Sequence, residues 1–295
     1  MRKNKKRNTI STNTRKHLFA RLFTLVLIVV FLISLSFYVR HAYTRQQEEL
    51  SRAQLIQEVQ QSLSLHETAA REITRVETVP PYSPTLSPPE PAETEAYAEA
   101  EPTAPRQIRQ RFLDLMEEFD NPDIVGHLRI ENTNIDYIVL QAADNDFYLH
   151  RDIRKNKSAA GWIFMDFRNV VGGDDPNTIL YGHNMRQNIM FHGLRHYREY
   201  VFFRAHPLII FDNLYDDGTW EIFSFFKTSV EFYYIQTCFE DRDEFFALVM
   251  RMKSYSMYET GVEVFPEDRI LLLSTCTNQS PDTRYVLAAR LMRPD

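Results

Sequence analysis

Four kinds of hydrophobic and polar pattern succeed one another along the chain, and each predicts a different element. From Leu22 to Val39 eighteen residues carry no charge and are mostly Leu, Val, Ile and Phe. As a helix this run spans roughly 27 Å at 1.5 Å per residue, close to the hydrocarbon thickness of a bilayer. Residues 40–79 are rich in Gln, Glu, Leu and Arg, and from Tyr43 to Val79 they hold no Gly or Pro. They read as a helix with Ile56, Val59 and Leu63 at a/d-like spacing before His66 breaks the seam. A solvated spacer is the expectation, and a dimerising coiled coil the competing one. Residues 80–105 hold eight of the fourteen prolines among Glu, Ala and Thr. That composition buries no core and favours an extended stalk, up to about 80 Å at ~3.1 Å per residue.

The pattern changes again at Arg106, where residues 106–295 begin to read as a folded domain. Ile108, Phe112, Leu115 and Met116 share one face of a short amphipathic helix that ends before Asn121 and Pro122. Short β-rich runs follow: Ile124 to Ile130, Ile135 to Leu140, Gly161 to Phe167, Thr178 to Tyr181, Leu208 to Phe211, Thr219 to Lys227 and Phe232 to Thr237. Turn signals at 132–134, 172–175, 216–218 and 266–268 separate them. Two longer apolar runs close the series, Ile270 to Cys276 and Arg284 to Met292, joined by a polar loop. About eight short strands predict a mainly β fold, a barrel or sandwich with helices as insertions. The clearest insertion is Asp241 to Tyr255, with Phe245, Phe246, Leu248, Val249 and Met252. It serves either core packing or the wall of a binding cleft.

Charge adds a direction to this layout. Eight Lys or Arg and no acid lie in residues 1–21, the expected basic cytoplasmic tail. The apolar run at 22–39 would then cross the membrane once and leave the rest of the chain outside. A cleaved signal peptide competes, but the run exceeds a typical h-region and no A-x-A-like site follows it. Residues 106–295 carry 21 basic and 29 acidic side chains, so no basic footprint for nucleic acid exists there. Two cysteines, Cys238 and Cys276, are too few for a disulfide scaffold or a thiolate metal site.

The chemistry gathers at the last hairpin. If its two runs pair antiparallel, their axes lie ~4.8 Å apart, and Cys276 comes within side-chain reach of Arg284. A guanidinium beside a thiol favours the nucleophilic thiolate. Read alone, the same residues also suit a small core Cys and a strand-edge Arg. A thiolate enzyme needs a proton partner, and His183 is the best placed of nine histidines. It follows the apolar run 178–181 and Gly182, which lets the chain turn at a strand exit. His192 and His196 have helical metal-pair spacing without a companion Glu or third ligand. They read as surface or core histidines, and His127, His150 and His206 as structural. Cys238 reads as a half-buried free thiol.

These residues resemble a known family. Leu273 to Cys276 with the downstream Arg284 is similar to the sortase signature Leu-x-Thr-Cys…Arg, and Tyr-Gly-His-Asn at 181–184 to its histidine motif. Asn-Thr-Asn-Ile-Asp-Tyr at 132–137, Ile-Phe-Met-Asp-Phe-Arg-Asn at 163–169 and Met-Phe-His-Gly-Leu at 190–194 resemble class B sortases, membrane-anchored enzymes of Gram-positive bacteria. The resemblance covers about residues 106–292. It implies a closed eight-stranded barrel with an N-terminal helix and inserted helices, and a cysteine transpeptidase in which Cys276, His183 and Arg284 are catalytic. Ser274 and Thr275 would line the substrate cleft. The substrates it implies are secreted proteins with a C-terminal sorting signal, the acceptor an amine of peptidoglycan or of a pilin, and no cofactor or metal is implied. Thr277 departs from the acidic residue many class B sequences place after the nucleophile. A cysteine protease releasing its acyl group to water, and a non-enzymatic surface scaffold, are the other function classes.

Overall fold

The computed structural model describes residues 12–76, 106–185, 188–276 and 282–293. The proposed stalk at 80–105, the start of the basic tail and most of the loop after Cys276 lie outside them. Two compact units divide the chain, residues 1–58 and residues 59–295.

The first unit is helical. Helix α1 runs Thr12–Val76, from the first unit into the second. Between Leu22 and Val39 its apolar side chains are exposed, Leu25 at 58% and Phe31 at 64%, as expected of a segment whose solvent is lipid. Among the described residues it is the one helix long and apolar enough to cross a membrane.

The second unit is a barrel. Its strands are β1 (Ile124–Arg129), β2 (Asp136–Leu140), β3 (Phe164–Met165), β4 (Asn177–Tyr181), the small pair β5 (Asn184–Met185) and β6 (Ile189–Met190), β7 (Leu208–Asn213), β8 (Thr219–Ser229), β9 (Ile270–Cys276) and β10 (Thr283–Leu291). Eight of them close in the order β1-β2-β3-β4-β9-β10-β8-β7, with β5 and β6 forming a separate ribbon. Closure leaves no sheet edge unpaired. The pairs β2·β3 and β4·β9 are parallel and the rest antiparallel. The helices α2 (Gln110–Glu118), α3 (Tyr200–Ala205) and α4 (Arg242–Ser254) are additions to this frame.

The apolar run of β9 follows from its position. Ile270 and Leu272 join a cluster with Phe245, Val249 and Met252 of α4. Strand alternation sends Leu271 and Leu273 to the opposite face, and both are fully buried there. A strand covered on both faces reads as a continuous hydrophobic run. Helix α4 therefore packs the core. Its start is capped by the Asp241 side chain, which accepts from the Glu244 N–H at 2.8 Å.

Part of α1 belongs to the barrel's unit. Val59 and Leu63, on the face expected to be solvated, are 1% and 6% exposed. Nearby, the Ser62 hydroxyl donates to the α2 carboxylate of Glu118 at 2.6 Å, and Arg129 of β1 pairs with Glu67. Residues 62–67 of α1 thus meet α2 and the barrel.

The run 232–237 is not a strand, although its burial alternates from Phe232 to Ile235 as a strand's would. Its carbonyls bond side chains instead of a ladder: Asn177 Nδ2 donates to Tyr234 O at 3.2 Å and to Gln236 O at 2.8 Å, and Arg168 donates to Ile235 O at 2.9 Å. Likewise only two residues of 161–167 pair as β3. Gly161 turns the chain before them at φ +56°, and Asp166 caps a turn after them through the Arg168 N–H.

Candidate active site

Parallel pairing of β4 with β9 sets Tyr181 opposite Ser274 at the same end of both strands. One residue later the Gly182 N–H donates to Ser274 O at 3.3 Å, the last tie before the chain leaves the sheet. A Cβ at Gly182 would sit 2.4 Å from the Ile163 side chain and 2.9 Å from Phe191, so only glycine lets the chain pass between them. His183 emerges half-buried just beyond. Its Nε2 lies 2.8 Å from the Leu149 carbonyl. A carbonyl only accepts, so Nε2 carries a proton and Nδ1 is the ring nitrogen left to exchange one.

On the other side of β9, the ladder with β10 sets the Cα of Cys276 opposite that of Arg284. The antiparallel register anticipated from the sequence is therefore present. Arg284 is half-buried, and its Nη1 donates to Thr283 O at 3.1 Å. Ser274 and Thr275 are each 2% exposed. The Ser274 hydroxyl lies 2.7 Å from the Tyr234 hydroxyl, while Thr275 Oγ1 is buried with no partner among the described residues.

A cleft of about 420 Å³ draws these residues together: His183, Arg284, Ser274 and Thr275 all line it, and Cys276 directly follows two of them. Asn145, Leu149, Phe164 and Tyr181 line it as well, and the segment 230–235 completes it. Helix α4 contributes nothing to this lining; the segment just before it does.

Behind the cleft lies a polar cluster whose Asp166, Arg168 and Tyr181 fall in the motifs 163–169 and 181–184, which assign them no role. The Asp166 carboxylate is fully buried and accepts from Asn145 at 3.0 Å, from the Tyr181 hydroxyl at 2.9 Å and from Arg168 through Nε at 2.8 Å and Nη2 at 2.7 Å. Burial pushes its pKa up, but Arg168 and the other donors outweigh burial and hold it below the usual carboxylate value. The Tyr181 phenol is pushed up by burial and by the Asp166 charge, so it stays protonated as a donor. The run Asp-Phe-Arg was visible in the sequence, but its joining of two loops was not.

The remaining candidates lie apart. His192 is buried in a 3-10 segment (Phe191–Arg198) with Nε2 3.1 Å from Arg195, and His196 stacks near Phe202. Among the described residues no three His, Cys, Asp or Glu side chains form a metal-binding group. Cys238 is exposed, not half-buried, because the strand expected to shelter it does not form.

Comparison with known proteins points to one family. The Sortase domain family model matches residues 128–292. Sortase B of Listeria monocytogenes is 40% identical over 173 residues, covering 59% of this chain and 70% of that protein. Sortase B of Staphylococcus aureus is 37% identical over 188 residues, covering 63% and 76%. Among solved structures, a Staphylococcus aureus sortase B–substrate complex superposes with a TM-score of 0.60 at 36% identity, over 64% of this chain and 88% of that one. Sortase B from Listeria monocytogenes superposes at 0.56 and 39% identity, over 61% and 99%. With the barrel order, the hairpin register and these matches in agreement, the chain belongs to the sortase family, cysteine transpeptidases of cell-wall anchoring, and the relatives named here are all sortases B.

Proposed function

We propose that Cys276 attacks the carbonyl of a Thr in a sorting motif near the C-terminus of a secreted protein, giving a thioester and releasing the downstream amine. With Nε2–H engaged by Leu149, Nδ1 of His183 is the atom that takes the thiol proton of Cys276 and gives it to the departing amine, then takes a proton from the incoming amine and returns it to the departing thiolate. Arg284 stabilises the oxyanion, aided by a backbone N–H near Cys276. Ser274 and Thr275 line the peptide's path. An amine of peptidoglycan or of a pilin subunit then attacks the thioester and fixes the protein to the wall or to a growing pilus.

The observation that carries this reading is the strand pairing. Parallel β4·β9 and antiparallel β9·β10 both finish at the C-terminal end of β9, where His183, Thr275 and Arg284 line one cleft and Cys276 follows Thr275, which supports this reading. For topology, α1 crosses the membrane with the basic residues 1–21 in the cytoplasm, and the barrel works outside.

The test mixes the protein with a sorting peptide ending in Pro-x-Thr and a leaving residue, adds a small amine such as triglycine, and weighs the products. An amine-linked peptide formed faster than the free acid is the expected result. Free acid alone would mean a protease, and intact peptide a scaffold.

A further inference from the structure

Two sets of residues line the cleft, and one guanidinium touches the supports of both. The first set is Asn145 and Tyr181, each hydrogen-bonded to the buried Asp166 carboxylate. The second is the segment 230–235, which lacks a strand ladder. Arg168 grips Asp166 with Nε and Nη2, then spends Nη1 on the Tyr233 hydroxyl at 3.0 Å and Nη2 also on the Ile235 carbonyl at 2.9 Å. Its fork is thus shared between the β3–β4 side and the segment. From β4, Asn177 also holds that segment's backbone at Tyr234 O and reaches Gln236 O just beyond it.

We infer that Arg168 is a positioning residue that sets the width of the peptide cleft by bracing the segment 230–235 against Asp166. Among the described residues its side chain bonds Asp166, Tyr233 and Ile235 and neither His183 nor Arg284, so it acts on binding through Tyr233 and Ile235 and leaves the chemical step alone. Planarity is what the role needs: a lysine keeps the charge beside Asp166 but cannot point donors at the carboxylate, a phenol and a carbonyl at once. The inference rests on the peptide-transfer reading above.

The test compares the full chain with Arg168→Lys and Tyr233→Phe in detergent, measuring kcat and KM for the sorting peptide with saturating triglycine. In parallel, the rate at which iodoacetamide alkylates Cys276 is followed by peptide mass mapping, which separates it from exposed Cys238. Arg168→Lys is expected to raise KM about tenfold with kcat and alkylation within about twofold. Tyr233→Phe, which removes one strut and leaves the Asp166 pair intact, is expected to raise KM about threefold. An unchanged KM in Arg168→Lys, or a kcat that falls as far as KM rises, overturns the brace. A parent protein that turns over no peptide overturns the functional reading instead. Arg168→Lys that fails to fold leaves Tyr233→Phe to decide: an unchanged KM there also overturns the brace.

Discussion

The part of the cleft that carries His183, Thr275 and Arg284 ends a backbone ladder, whereas the segment 230–235 has no ladder and leans on side chains beside a few local backbone bonds. Five register pairs join β4 to β9 and seven join β9 to β10. At about 0.5–1.5 kcal/mol net for each hydrogen bond, moving the end of such a ladder forfeits several at once. The other wall depends on single contacts from Arg168, Asn177 and Tyr234, each broken by one substitution. The proposed catalytic groups therefore sit where geometry is collective, and the proposed peptide wall sits where it is adjustable.

The comparison is broken most severely on the ladder side. Cys276→Ala is expected to abolish peptide cleavage, at least a thousandfold below the parent in a chromatographic assay, because no other group supplies the nucleophile. Arg284→Lys keeps the charge and loses the planar fork, and a few per cent of the parent kcat/KM is expected. Activity near the parent's would remove Arg284 from the oxyanion site. Gly161→Ala reaches the ladder side indirectly. At φ +56° an added Cβ would lie 2.4 Å from Tyr148 O and 2.6 Å from Leu149 O, so the carbonyl that orients His183 must shift. A kcat about tenfold lower at saturating peptide is expected, with a loss of about 1–3 kcal/mol in stability; a normal kcat despite the lower stability would show that Leu149 does not orient the ring.

Smaller effects belong to the other wall and to neither. Tyr234→Phe removes the bond to buried Ser274 and should cost about 1 kcal/mol in chemical denaturation. A rise in KM of about two- to threefold should accompany it. His192 lies outside the cleft lining and serves as a control. Burial and the Arg195 charge lower its pKa below the ordinary 6.5, so the native state binds fewer protons than the unfolded chain. Stability should then fall as pH drops through about 6.5 and level off below the folded pKa. His192→Gln should show a smaller decrease in Tm between pH 7.5 and 5.5, with kcat/KM for the peptide unaltered at pH 7.5.

The ladder side was legible in the sequence and the other wall was not, for a physical reason. Ile270 to Cys276 is a continuous apolar run because both its faces are covered, and Gly182 marks a strand exit because a Cβ there has no room. Both signals are local. The segment 232–237 alternates like a strand from Phe232 to Ile235, yet Arg168 and Asn177 from elsewhere in the chain take its carbonyls. Nothing in the order of its own residues announces that. Helix α4 shows the reverse: its apolar residues suited either a core or a cleft wall, and only the packing against Ile270 and Leu272 decides for the core.

The parallel join between β4 and β9 also governs when the molecule first becomes reactive. Four strands and three helical segments intervene between these two in chain order. Contacts of such separation form late, since loop-closure entropy must be offset before they contribute. A chain still assembling would therefore keep the ends of β4 and β9 apart until the barrel seals. On the proposed mechanism the fold acts as its own propeptide: the last step of assembly also brings the reacting groups together.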